Sequence, residues 1–297
     1  ASLRYDRTTI DVDNRIDPAA GGEHRFERVN PAVGVNVRAG RRLDLYGGYG
    51  ESFRAPSAIE LTCANEDDPC PLPVAFADDP PLDEVKARSF EVGLRGRPTR
   101  GLRASLALFH TELEDDILFV ASSRAEGFFR NVDETRRVGI EAGLEGRTDV
   151  VDGFVSYGFT HATFESTAVF PSPPGENVAR PGDRLPGVPN HLLKAGLGAP
   201  LGWGFRVGAD LQYVGDRFLR GDEANDFAPL DDYVVVNARL SWTWKRLTLF
   251  ARAENLLDAE YETFGAFAEN PLADERVERF LSPGAPLAGW FGIRIEI

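Results

Sequence analysis

The chain has 297 residues, a formal charge of −14 and 42% hydrophobic residues. That acidic balance excludes a nucleic-acid binder, which needs a basic face for phosphate. No run of 18 apolar residues occurs, which excludes a helical membrane protein but not a β-barrel, whose alternating strands leave a weak hydropathy signal.

Twelve strands are predicted in chain order, separated by turn signals. Leu3–Val12 comes first, followed by the polar loop Asp13–Arg25. Phe26–Arg38 then turns through Ala39–Arg41 into a strand from Leu43, whose Leu45 and Tyr49 alternate with Asp44, Gly48 and Gly50. This strand ends at Pro56, which cannot donate to a ladder and forces extended geometry on its predecessor. After the long loop Ser57–Glu84 come Lys86–Arg97, the turn Pro98–Arg100 and Leu102–Val120. A connection at Ser122–Gly127 leads to Phe128–Arg147, Thr148–Asp152 to Gly153–Phe164, and the Pro/Gly-rich Ser166–Asn190 to His191–Ala199. Pro200–Gly202 turns into Trp203–Leu219, and the loop Arg220–Leu230 into Tyr233–Trp244. Lys245-Arg246 turns into Leu247–Tyr261, and a final long loop, Gly265–Pro286, precedes Gly289–Ile297.

Period-two alternation is strong. Phe205, Val207, Ala209, Leu211 and Tyr213 interleave with Arg206, Gly208, Asp210 and Gln212, and Val138, Ile140, Ala142 and Leu144 with Gly139, Glu141, Gly143 and Glu145. Each strand therefore has one wet and one apolar face. A soluble sandwich buries its apolar faces against each other. Two features favour the inverse, apolar outside and polar inside. Charge pairs share the polar face (Arg206/Asp210, Arg294/Glu296), and Tyr46, Tyr49, Phe53, Tyr213, Trp242, Trp244, Tyr261 and Trp290 gather near strand ends like interfacial girdles. Short connections alternate with long ones, which places the long ones outside the cell and the short ones in the periplasm.

Cys63 and Cys70 lie in one acidic loop. No further cysteine or nearby histidine completes a metal site, so a loop-closing disulfide in an oxidising compartment is the better reading. The acids Glu112, Glu114, Asp115 and Asp116 read as the hydrated end of a strand rather than a metal site. Glu66, Asp67, Asp68, Asp78 and Asp79 read the same way; their functional alternative is divalent ions bridging lipopolysaccharide phosphates. His24, His110, His161 and His191 show no metal-ligand spacing. No nucleophile elbow or nucleotide loop occurs, so the chain reads as no enzyme, with no cofactor, metal or nucleic-acid partner. Strand glycines read equally as close approach of a ligand or a plug and as strand bending with room in the lumen, and Asn131 and Asn255 as side-chain bonds to backbone at strand ends.

The strings SFRAPSAIEL (52–61), DPPLDEVKARSFEVGLRG (79–96), FHTELEDDILFV (109–120), FFRNVDETRRVGIEAGLEG (128–146), RPGDRLPGVPNHLLKAGL (180–197), GDEAN (221–225), AENLLDAEYETFG (253–265) and GWFGIRIEI (289–297) occur in the order in which similar segments occur in TonB-dependent outer-membrane receptors. The chain resembles that family over nearly its whole length. The resemblance implies an all-β, antiparallel transmembrane barrel of about 22 strands with a plug in its lumen. About 12 strands are present here and nothing resembles the plug, so residues 1–297 read as the C-terminal portion of the barrel domain. It further implies TonB-energised uptake of a scarce nutrient, a ferric siderophore foremost. Cobalamin, haem or oligosaccharide are alternative cargoes on the same barrel. The implied location is the outer membrane of a Gram-negative bacterium. The implied partners are outer-membrane lipid and lipopolysaccharide, the TonB complex through the plug, and a small ligand such as an iron chelate. Arg54, Arg124, Arg130 and Arg180, at the outer ends, would suit a carboxylate-rich chelate; the ligand-binding residues themselves are unknown. A closed 12-stranded porin or outer-membrane hydrolase, and a soluble β-rich lectin, are the competing readings.

Overall fold

The computed structural model describes residues 1–13, 21–66, 70–71, 82–121, 126–171, 175, 177–270, 272 and 276–296. Its elements are β1 (Ser2–Val12), β2 (Gly22–Arg38), β3 (Leu43–Arg54), α1 (Ala58–Leu61), β4 (Cys70–Pro71), β5 (Val85–Gly96), β6 (Leu102–Ala121), β7 (Glu126–Arg147), β8 (Asp152–Phe164), β9 (Ala168–Phe170), β10 (Asn177–Ala179), β11 (His191–Gly202), β12 (Phe205–Val214), β13 (Tyr233–Trp244), β14 (Leu247–Glu254), β15 (Glu262–Asn270), β16 (Arg276–Pro283) and β17 (Ala288–Ile295). Twelve strands form one antiparallel meander in the order β1-β2-β3-β5-β6-β7-β8-β11-β12-β13-β14-β17, with β4 added beside β7. These are the twelve strands read from the alternation. β1 and β17 are the two edges of the sheet.

Register decides which side chains share a face. Val33 pairs with Tyr49, Leu45 with Leu94, Val92 with Leu108, Leu108 with Ile140, and Leu144 with Val155. The row continues through Ala195–Leu211, Leu211–Val236, Leu240–Ala251 and Leu249–Ile293. Directly opposed residues point the same way, so one face stays apolar from edge to edge. The other face carries Arg4, Asp6, Glu91, Arg95, Arg103, Glu141, Lys194, Asp210 and Arg239. Among the described residues no second sheet covers the apolar face: Leu240 is 44% and Ile293 66% exposed. A sandwich core would have buried both.

The largest fully buried side chains are Phe128, Phe164, Phe170, Leu61 and Leu219, all at the end of the sheet that carries the long connections. Three apolar clusters form there. One joins Val120, Phe128 and Val132 to Phe164, Phe170 and Leu185; a second joins Phe26, Leu61, Leu82, Val85 and Ile117; a third joins Leu219, Leu230 and Phe267. The compact core of this protein is thus its loop cap, not its wall.

The structure corrects several expectations. β12 stops at Val214 rather than Leu219: Val214 is its last residue paired with both β11 and β13, and beyond it Arg217 bonds to Leu230 and the Phe218 carbonyl accepts from Gly187 N–H. β14 stops at Glu254 rather than Tyr261, because Asn255 adopts φ +49° and Leu256 N–H donates to the Val236 carbonyl. The segment expected as a loop, Gly265–Pro286, instead holds most of the β15–β16 hairpin. Arg206 pairs with Asp152, and Asp210 accepts from Asn237 at 2.8 Å, instead of pairing with each other. Arg206 and Asp210 are four positions, about 13.6 Å, apart along the strand, whereas opposed residues on paired strands stand about 5 Å apart. The aromatics also divide. Tyr49 and Trp242 lie on the apolar face, but Tyr46 lies on the polar face against Gly93, where a side chain would come within 2.5 Å of its ring. Phe154 covers Gly196 in the same way, so these glycines make room for a neighbour's ring. Ile297 lies outside the described residues.

Candidate functional site

The mouth begins where β3 ends. Ser57 caps α1: Glu60 N–H donates to Ser57 Oγ at 3.4 Å, and Ser57 N–H to Glu60 Oε2 at 2.7 Å, closing a capping box. Arg54 pairs with Glu60 at 2.7 Å, so this expected ligand arginine is occupied locally. Cys63 and Cys70 are joined by a disulfide, and both are buried. Phe129 N–H donates to the Cys63 carbonyl, and β4 pairs Cys70 with Gly127, which ties the loop to β7.

The acidic run of β6 is spread over three cations and a histidine. Glu112 meets His110, Glu114 meets Arg88, Asp115 meets Lys86 and Asp116 meets Arg137, at 2.7–3.0 Å. Asp116 also accepts from Thr135 Oγ1. Among the described residues no group of three or more His, Cys, Asp or Glu side chains has the geometry for a metal. Asp67, Asp68, Asp78, Asp79 and Arg124 lie outside the described residues. Asn131 and Asn255 bond to backbone at strand ends. Asn131 holds Asp83 and Asp115; Asn255, 1% exposed, holds Ala259 and Ala285.

Three connections interlock over β8–β14. Asn177 accepts from Ala224 N–H and donates to Glu223, while Asn225 accepts from Arg184 N–H and donates to its carbonyl. Arg184 pairs with Asp216 at 2.7 Å. Arg220 N–H donates to the Gly265 carbonyl and Phe267 N–H to that of Arg220, which carries the β15–β16 hairpin on the loop before β13. Burial of Asp222 in this junction pushes its carboxyl up to about 6, although the N–H groups of Asp226 and Phe227 oppose the shift. Burial also raises Glu223.

Two cavities follow. One of about 630 Å³ opens between the disulfide loop and the β9–β10 hairpin, with Glu66, Arg130, Asn131, Asp133 and Thr167 on its walls. Arg130 donates to the Val169 carbonyl at 2.8 Å and its guanidinium lies 5.6 Å from the Phe170 ring. Of the expected arginines, Arg130 is the one this cavity uses; Arg180 stands exposed elsewhere in the cap. The second, about 820 Å³, lies on the polar face by the short turns, where Arg38, Arg41, Arg42, Arg95, Arg97 and Arg103 outnumber Asp44 and Glu145. Sequence reasoning missed this cluster and the Asn177–Asn225 latch. The signal for the cluster was there, as arginines flank two successive short turns.

Residues 1–256 match the family described as TonB dependent receptor-like, beta-barrel. Among solved structures, the chain resembles the ferric-catecholate import receptor Fiu of E. coli K12 (20% identity, TM-score 0.68, covering 93% of this chain and 36% of that one). It resembles the siderophore receptor PiuA of Acinetobacter baumannii (18%, 0.71, 99% and 40%) and the copper transporter OprC (17%, 0.73, 99% and 44%). At these identities the likeness establishes the fold. The chain spans less than half the length of each of these three proteins.

Proposed function

This chain belongs to the TonB-dependent receptor-like β-barrel family, and from that premise we propose that it forms the C-terminal part of the barrel of an outer-membrane receptor for TonB-energised uptake of a scarce nutrient, most specifically a ferric siderophore. The family is one of transport receptors, found in the Gram-negative outer membrane. The observation that carries the reading is the unbroken register that keeps one face apolar and one polar across twelve strands. Such a wall is stable only with hydrocarbon on one side and water on the other.

Cargo capture falls to the loop cap, since loops on a rigid scaffold carry recognition. The Arg130 cavity offers a cation and an amide beside the carboxylates of Glu66 and Asp133, a mixed polar lining that suits a polar metal chelate. The arginine-rich wall at the short-turn end then lies where a plug would fill the lumen and couple to TonB. The iron-receptor and copper-transporter likenesses set the cargoes to compare. Cells lacking the intact gene would be grown under iron or copper limitation, with ferric siderophores, haem or copper as the sole source, in TonB-positive and TonB-negative strains. Loss of growth on one ferric siderophore, reproduced by loss of TonB, supports the reading. Uptake that persists without TonB refutes it.

A further inference from the structure

Three connections at the outer ends of β8–β14 are pinned to one another. Asn177, in β10, accepts from Ala224 N–H at 2.7 Å and donates to the Gly221 carbonyl and to Glu223. Asn225 accepts from Arg184 N–H at 2.6 Å and donates back to the Arg184 carbonyl at 3.0 Å. It does so from φ +58°, a left-handed conformation that asparagine tolerates. The β15–β16 hairpin joins through backbone: Arg220 N–H donates to the Gly265 carbonyl, and Phe267 N–H to that of Arg220. Arg279 adds a bond to the Pro229 carbonyl at 3.3 Å, and Leu219, Leu230 and Phe267 pack at the joint.

This joint buries two successive carboxyl groups. Asp222 is 1% and Glu223 9% exposed, and among the described residues neither has an ion-pair partner. Asp222 accepts from the N–H groups of Asp226 and Phe227. The carboxylates of Asp226, on its own connection, and of Asp183, on the connection before β11, oppose its charge. Glu223 accepts from Asn177 and from Gly221 N–H, with Asp222 against its charge and Arg220 in its favour. The other cations of the joint are engaged: Arg184 pairs with Asp216 at 2.7 Å, and Arg279 reaches a carbonyl. Arg217, 4% exposed on the same connection, donates to the Glu262 carbonyl and keeps its Nη1 buried without a partner. Buried charge without a counter-charge is costly, so the closed joint favours neutral carboxyls.

We propose that the three connections are one lid, closed while Asp222 and Glu223 carry their protons and released as a unit when they ionise. Ionisation leaves two adjacent buried negative charges facing Asp183 and Asp226, and opening lets water solvate all four. The closed lid binds the extra proton. Acid therefore holds it shut, and a rise in pH through about 6 releases it. The release is joint because Asn177, Asn225 and Arg220 each bond to a neighbouring connection, so none can leave alone without breaking bonds to another. The lid lies in the loop cap to which cargo capture was assigned, and its role in regulating access to that cap rests on the receptor reading.

The full-length protein in mild detergent would be followed by hydrogen exchange at pH 4.5 and pH 7, corrected for intrinsic rate. Heat-modifiable gel migration of each preparation reports the folded barrel independently. Protection over residues 177–188, 216–230 and 262–270 should fall together between the two pH values, while the β6–β7 wall stays unchanged. Asp222 alone supplies a drop on the order of 25-fold, for a closed-state value of about 6 and an open-state value of 3.8. The Asp222→Asn/Glu223→Gln double variant should hold all three segments at pH 7 near their level at pH 4.5. Asn225→Gly keeps the left-handed turn and removes the side-chain bonds. It should lower protection over 262–270 at pH 4.5, although Asn225 bonds to no described residue of that hairpin; Asn177→Ser serves the same purpose if Asn225→Gly does not fold. Segments that shift by unequal factors, a folded wild type with no pH dependence, or a variant effect that stops short of 262–270 overturns the lid and leaves the receptor reading standing. A wild type that forms no heat-modifiable barrel overturns the receptor reading instead, and the lid's regulatory role with it.

Discussion

Replacing Leu240 by arginine tests the inside-out wall most directly. β13 has 12 residues, about 40 Å along the strand at ~3.4 Å each. Tilted by about 45°, it crosses roughly 28 Å, close to the ~25 Å apolar band of outer-membrane barrels. Val236, Ala238 and Leu240 occupy its central part on the apolar face, where Leu240 lies between Val207 and Ala251. An arginine there must be placed in hydrocarbon or drag water in, at a cost of about 2–4 kcal/mol. The adjacent Ser241 points to the polar face beside Arg206, so Ser241→Arg should cost under about 1 kcal/mol by the same principle. The assay is reversible guanidinium unfolding of the full-length protein in phospholipid vesicles, followed by tryptophan emission. A lowered midpoint for Leu240→Arg, with Ser241→Arg near wild type, is the expected pair of outcomes. The reverse order, or equal midpoints, would refute the assignment of faces.

Asn255→Ala removes buried bonds to Ala259 and Ala285 and leaves an alanine at positive φ. It should cost about 2–4 kcal/mol and make residues 255–287 the first site of protease nicking. Asp222 gives a pH dependence with a definite sign. Its carboxyl keeps a proton up to about 6 in the folded cap, against an ordinary value of 3.8. The folded cap therefore binds more protons between those values and loses stability as pH rises through that window. Hydrogen exchange over residues 215–230, corrected for intrinsic rate, should be slower at pH 4.5 than at pH 7, and Asp222→Asn should flatten the difference. Reducing the Cys63–Cys70 bridge, which spans 7 positions, should destabilise the 57–71 loop by about 2.5 kcal/mol on the chain-entropy account. Loop proteolysis would show this, with barrel migration unchanged. Gly93→Val should push Tyr46 off the polar face and cost about 1–3 kcal/mol, read as a lower unfolding midpoint; an unchanged midpoint would remove the ring-over-glycine packing from the account.

Much of the wall was legible because a strand's side-chain period is two and its ends are marked by glycine and proline. The bounds of Tyr233–Trp244 were read as they stand, and the starts of β6, β11 and β14 likewise. The cap was less legible. Nothing in the spacing of Asn177 and Asn225 says that they bond to each other's loops, since the 47 positions between them carry two strands of the wall. The β15–β16 hairpin escaped because Leu247–Tyr261 alternates well enough to read as one strand, and only the left-handed turn at Asn255 breaks it.

Local pattern, then, determined the strand count, the alternation and which connections are long. Pairing decided the rest: which residues oppose, that charge pairs form across strands, and that the turns at Gly101 and Arg147 are tied by a backbone hydrogen bond. The physical reason is that alternation is written in nearest neighbours along the chain. Register, cavities and loop junctions depend on contacts between distant segments, whose free energy appears only once the sheet has formed.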